Sequence, residues 1–241
     1  MQKRILITGI VLMAVLLAFT ATLVVAAPAP FLSRLTFLQP PRTGTDPLSQ
    51  TEILQAQQTA NQDAGLSAQL NAAQRTEVLL VERHQETKSV RKQGNWPRRA
   101  DMYVYNYDTN TLTYSIINLD TGAVDVVETA QNVQLPPNQA ETERAIQLAL
   151  ADPQVNAILQ TQYQATSGTP LTNPQNQLDI HVLTFKAQSG PDQPQGAVAN
   201  CGLHRCAQLL ITTQNGYFIN LLPVVDLSNN QVINVTLNSG P

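Results

Sequence analysis

From Arg98 to Val127 the chain alternates runs rich in β-branched and aromatic residues with short polar breaks. Asp108-Thr109-Asn110 and Asp120-Thr121-Gly122 are turn formers, so the stretch predicts a three-stranded antiparallel meander. A degenerate copy runs from His204 to Val235. It sets Arg205 opposite Arg99, His204 opposite Arg98, Asn215-Gly216 opposite Thr109-Asn110 and Leu227 opposite Leu119, with two extra residues around Pro223. Proline cannot donate to a ladder, so a bulge or an edge is expected there. Side chains alternate along a strand, which puts Tyr103, Tyr105 and Tyr107 on one face. If Leu209 and Ile211 mark the equivalent face as core, these tyrosines are packing residues.

The segment before each meander follows one grammar. Ser49 with Glu52 three residues later is a capping box leading into Ile53, Leu54, Ala56 and Ala60 at helical spacing. Gly65 is the expected stop, and Leu66 to Leu70 add a further turn. Thr76 to Glu82 reads as a strand, and a polar, basic loop from Lys88 to Pro97 carries Trp96. In the second half Asn138 and Glu141 cap a helix through Ala145, Ile146, Ala149 and Leu150. Asp152-Pro153 restarts a short helix ending near Leu159. Ile180 to Lys186 is the next strand, followed by a Gln/Pro/Gly-rich loop from Gln188 to Ala199. The expected fold class is α+β: two tandem domains, 49–135 and 136–241, each a helix packed across a 3–4-stranded antiparallel sheet. Leu135-Pro136-Pro137 would be a short, stiff linker between them.

Upstream, Lys3 and Arg4 precede an uncharged run from Ile5 to Ala26 that closes on small residues, so residues 1–27 read as a signal peptide. The run approaches the roughly 20 residues that span a bilayer, so an uncleaved signal anchor is the competing reading. Residues 28–48 hold Pro28, Pro30, Pro40, Pro41 and Pro47 and form a tether, or a strap using Phe31, Leu35, Phe37 and Leu38. Either way the remainder is expected outside the cytoplasm, secreted or anchored to the outer face of the cytoplasmic membrane, with a bacterial pattern of export. Membrane contact is expected only through Ile5 to Ala26, and only if that run is uncleaved.

Charge narrows the function. Lys, Arg, Asp and Glu together are 13% of residues and the net charge is -3, which offers no basic surface for a phosphate backbone, so nucleic acid is excluded as a partner. Hydrolase elbows, zincin helices, phosphate loops and calcium loops are not found in the sequence. No catalytic residue and no cofactor are therefore assigned. Two cysteines, Cys201 and Cys206, would form a local disulfide in an oxidising compartment. The alternative is a metal site in which Cys201, His204 and Cys206 are joined by His181. On the bland reading, His204 is a polar residue at a strand start and His84 an exposed loop-edge residue.

The run Arg98 to Leu112, the Asn118-Leu119-Asp120-Thr121-Gly122-Ala123-Val124 stretch, and Glu143 onward into Leu148-Ala149-Leu150-Ala151-Asp152-Pro153-Gln154-Val155 together resemble the small amino-terminal domains of copper amine oxidases. The resemblance covers about residues 49 to 236 and implies two consecutive cystatin-like domains without the catalytic domain. Asn106-Tyr107-Asp108 resembles part of that family's quinone-forming motif. Tyr103, however, stands where a Thr or Ser is needed, and a His-x-His pair for copper is missing. Two classes follow: an exported, non-catalytic binding or accessory protein with an unknown protein or cell-envelope partner, or a copper-handling protein using His181, Cys201, His204 and Cys206.

Overall fold

Ser49 opens the first helix as the sequence demands. Its hydroxyl accepts from the Glu52 backbone N–H at 3.3 Å, while the Glu52 carboxylate accepts from the Ser49 N–H at 2.7 Å. Those bonds satisfy donors that α1 (Gln50–Gln62) would otherwise leave bare. The helix stops at Asp63, not at Gly65. Asp63 has an extended backbone, and its side chain accepts from the Leu66 N–H at 2.8 Å, which starts α2 (Ala64–Asn71) with Gly65 inside it. The computed structural model describes residues 46–71, 74–94, 96–187 and 196–236, all within one compact unit, Arg42–Pro241. The Ile5–Ala26 run read as a signal peptide or anchor, the tether up to residue 45 and most of the 188–199 loop lie outside these residues.

β1 (Thr76–Arg83) follows, then the short α3 (Lys88–Arg91) inside the basic loop, then β2 (Arg99–Asn106), β3 (Thr111–Asn118) and β4 (Ala123–Ala130). They form an antiparallel sheet in sequence order. Asn110 at φ 55 and Gly122 at φ 66 supply the left-handed residues that the two tight turns need. The second half opens on α4 (Gln139–Ala151), capped by Asn138 and Glu141. Asp152 ends α4 and caps α5 (Pro153–Ser167), repeating what Asp63 does. α5 runs eight residues beyond the expected Leu159, because Tyr163 extends the buried stripe of Val155 and Leu159 at i, i+4 spacing before Gly168 closes it. Next come α6 (Pro174–Gln177), β5 (Leu178–Phe185), β6 (Cys206–Thr213), β7 (Leu222–Asp226) and β8 (Gln231–Thr236), the strands again in sequence order. The described residues therefore form a mixed α+β structure of two four-stranded antiparallel sheets and six α-helices. β6 pairs with β7 only from Cys206 to Gln208, so Pro223 faces Val235 of β8 and has no partner across on β6.

Hydrogen bonds correct the expected correspondence by one residue. The Leu119 N–H donates to the Arg98 carbonyl and the Leu227 N–H donates to the Arg205 carbonyl, both at 2.8 Å. Arg205 is thus matched to Arg98 rather than Arg99, and His204 to Pro97. A one-residue slip exchanges the faces of a strand. Leu209 and Ile211 correspond to Met102 and Val104, which face α1, and not to Tyr103 and Tyr105. One core layer joins Ala56, Ala60 and Leu66 to Ala100, Met102, Val104 and Ile117. The other joins Ala145, Ala149, Leu159, Leu209 and Ile211 to Tyr105, Tyr107 and Leu112. Tyr105 and Tyr107 are core residues, but on the face away from α1, so the first sheet is buried on both sides there.

Candidate functional site

The most buried ionic groups lie where the two sheets meet. The Arg205 guanidinium donates to both Glu141 oxygens at 2.7 Å, to the Leu135 carbonyl at 2.6 Å and to the Pro136 carbonyl at 3.1 Å. The two side chains are 2% and 0% exposed, so this is a fully desolvated bidentate pair. The Glu141 carboxylate also accepts from the Tyr107 hydroxyl at 2.8 Å, and that hydroxyl reaches Glu77 at 3.0 Å. Glu77 in turn accepts from Arg144 at 3.1 Å and from the Asn138 amide at 2.8 Å. Burial, then the Glu141 carboxylate, pushes the Tyr107 hydroxyl well above the usual tyrosine range; burial pushes Tyr105 up to about 12. Both phenols stay neutral donors at physiological pH. In the first half Arg98 plays the part of Arg205, donating to the capping-box Glu52 at 3.0 Å and to the Asp46 and Pro47 carbonyls. Tyr107, whose neighbours resemble a cofactor motif, is therefore the hinge pin of this network. Leu135-Pro136-Pro137 is held against the second half by Arg205 and by the Thr184 hydroxyl at 3.0 Å.

Cys201 and Cys206 form the disulfide, with their Cα atoms 5.5 Å apart. Gly202 turns the chain between them at φ 121, a conformation that favours glycine, and a Cβ there would meet the Lys186 stem at 3.2 Å. His204 sits inside this loop with Nδ1 2.8 Å from the buried Asp226 carboxylate. His181 is elsewhere: exposed on the edge strand β5, it lies opposite Leu210 of β6, while Phe185 is the residue opposite Cys206. Four residues of strand separate the two positions, about 13 Å at normal rise, so His181 does not join the other three. Among the described residues no three His, Cys, Asp or Glu gather as metal ligands. His84 is half-buried rather than exposed, with Nδ1 2.7 Å from Asp101, which also accepts from the Tyr114 hydroxyl at 2.8 Å. Sequence reasoning missed both His–Asp pairs because each carboxylate comes from a different strand.

Closing a five-residue loop removes chain entropy worth on the order of 2 kcal/mol. Replacing both cysteines with serine is therefore expected to lower the melting temperature while leaving metal content unchanged. Stoichiometric copper or zinc that disappears from this double variant would overturn the structural reading.

Among the described residues of the second half, two clefts open. One, of about 290 Å³, lies between α4 and β5 and is lined by Ile146, Leu150, Leu178 and Ile180, with Glu143 and Gln147 at its side. The other, of about 300 Å³, lies under the turn that follows β6.

What these elements define is an α+β protein with two antiparallel sheets, a local disulfide and buried Arg–Glu clamps. No family model matches the chain and no curated protein does. Among solved structures it is similar to a copper-containing benzylamine oxidase from Hansenula polymorpha, at 14% identity and a TM-score of 0.49. The match covers 83% of this chain and 30% of that one, so the chain spans less than a third of that enzyme's length.

Proposed function

We propose that this chain is an exported binding or accessory protein that performs no chemistry of its own. Its two halves act as tandem cystatin-like modules of the kind the sequence resembles. The observation that carries this reading is where the reactive groups point. Arg98, Arg205 and Glu141 are turned inward as clamps, and the cysteines are joined. The open clefts are lined mostly with aliphatic, amide and hydroxyl groups, the equipment of recognition rather than of proton or electron transfer. A disulfide also suits a compartment outside the cytoplasm.

The test is to express the full chain in a bacterium, fractionate the cells and measure retention of the purified protein on washed cell-envelope material. The expected result is extracytoplasmic protein with no free thiol, starting near residue 27 or 28 if secreted or at Met1 if anchored, and retained by the envelope. Cytoplasmic protein with two alkylatable thiols would sink the location, and failure to be retained would sink the binding role.

A further inference from the structure

The cleft after β6 has an unusual lining. α5 contributes Tyr163, Thr166 and Ser167, α6 contributes Asn176 and Gln177, the end of β6 contributes Thr213, and the turn after it contributes Gln214, Asn215 and Tyr217. Every one of these is an amide, a hydroxyl or a phenol; none carries a charge at neutral pH. The floor is already fixed. The Gln177 Oε1 accepts from the Thr172 N–H at 2.7 Å and the Asn173 N–H at 2.6 Å, while its Nε2 donates to the Tyr163 hydroxyl at 3.2 Å. The Gln214 amide donates to the Leu178 carbonyl at 2.9 Å, and the Thr213 hydroxyl accepts from the Tyr217 N–H at 3.1 Å. A floor held this way costs little further ordering when a ligand arrives.

The rim is different. Among the described residues the side-chain amides of Asn176 and Asn215 and the Tyr217 hydroxyl make no hydrogen bond to another protein group, and Tyr217 is 61% exposed. A tyrosine ring left open beside unspent amides offers an apolar platform next to paired donors and acceptors. A phosphate or carboxylate would find no cation on this lining, and an ammonium would find no carboxylate. A purely apolar ligand would strand the amides without water. A neutral polyhydroxylated ring fits each requirement: its C–H face lies on an aromatic ring, and each hydroxyl both donates and accepts. We propose that this cleft binds one or two units of a neutral saccharide, with Tyr217 as the stacking platform and Asn176 and Asn215 reading the hydroxyls. This deepens the binding role proposed above and rests on it, giving it a ligand class.

The test is titration of the folded, disulfide-bonded protein with cellobiose, maltose and the N-acetylglucosamine disaccharide, followed by protein-observed NMR and calorimetry. Digalacturonate and glucosamine serve as charged controls. At least one neutral disaccharide should bind saturably with Kd on the order of 1 mM, and Tyr217→Ala should weaken it about tenfold or more. Tyr217 is exposed, so this variant should keep the wild-type melting temperature; Asn215→Asp, which places a charge in the lining without truncating it, should weaken binding as well. No saturable binding by any of the three up to about 50 mM, indifference to both substitutions, or equal binding of a charged control would each overturn the proposal. Envelope retention without sugar binding sinks this inference alone, whereas loss of retention sinks the binding role itself.

Discussion

Arg205→Met is expected to lower the melting temperature by roughly 10 °C or more. Among the described residues the guanidinium is the sole cation on the Glu141 carboxylate, and the pair is nearly without solvent. Removing it leaves a buried charge uncompensated, at a cost of about 3–5 kcal/mol. It also strips donors from the Leu135 and Pro136 carbonyls, which fix the connection between the two sheets. Methionine keeps most of the apolar stem, so the loss reports on the charge rather than on a cavity. Adding Glu141→Leu to Arg205→Met should recover much of the stability, because a buried ion pair replaced as a pair by apolar groups is often neutral. Thermal unfolding of the four proteins of this cycle decides the matter. Equal melting temperatures for wild type and Arg205→Met would mean that the clamp carries no net energy.

Glu141 illustrates what could be read from the sequence and what could not. Its place three residues after Asn138 announced a helix start, because a capping box is a local pattern that one turn of chain satisfies. Its second task, receiving Arg205 from 64 residues away, leaves no local trace. The strands were legible for the same local reason, since turn formers and alternation bracket them. Matching the two meanders by residue type put two extra residues around Pro223, where the hydrogen bonds allow one, and the error placed Arg205 opposite the wrong arginine. That slip also reversed which face of β2 meets the helix, although Tyr105 and Tyr107 are core residues because the second half covers their side. Gly65 looked like a stop because glycine often closes helices; Asp63 stops α1 instead because its side chain can begin the next helix in the same step. The amide-lined cleft was invisible for a deeper reason. Its residues come from three separated segments, and Asn, Gln and Thr look alike whether they line a site or merely face water.

The first-half clamp should show itself in acid. Burial works against ionisation of Glu52, but the hydrogen bonds from Arg98 and Ser49 prevail and hold its pKa at about 2, down from 4.5. A group whose folded pKa lies below its unfolded value stabilises the fold when ionised. The unfolded chain binds the proton more readily across this window, so stability rises with pH between about 2 and 4.5. The contribution is complete above about pH 4.5 and is lost as the pH falls toward 2. With allowance for solvent at the helix end it is worth about 2 kcal/mol at neutral pH. Glu52→Gln is the informative variant, because glutamine at this position still closes a capping box while removing the charge that meets Arg98. Denaturant unfolding of both proteins from pH 7 to pH 2.5 should show wild type ahead at neutral pH and the gap narrowing steadily below pH 4.5. A gap that stays constant across the range would assign the effect to packing at the helix start and not to the Glu52–Arg98 charge pair.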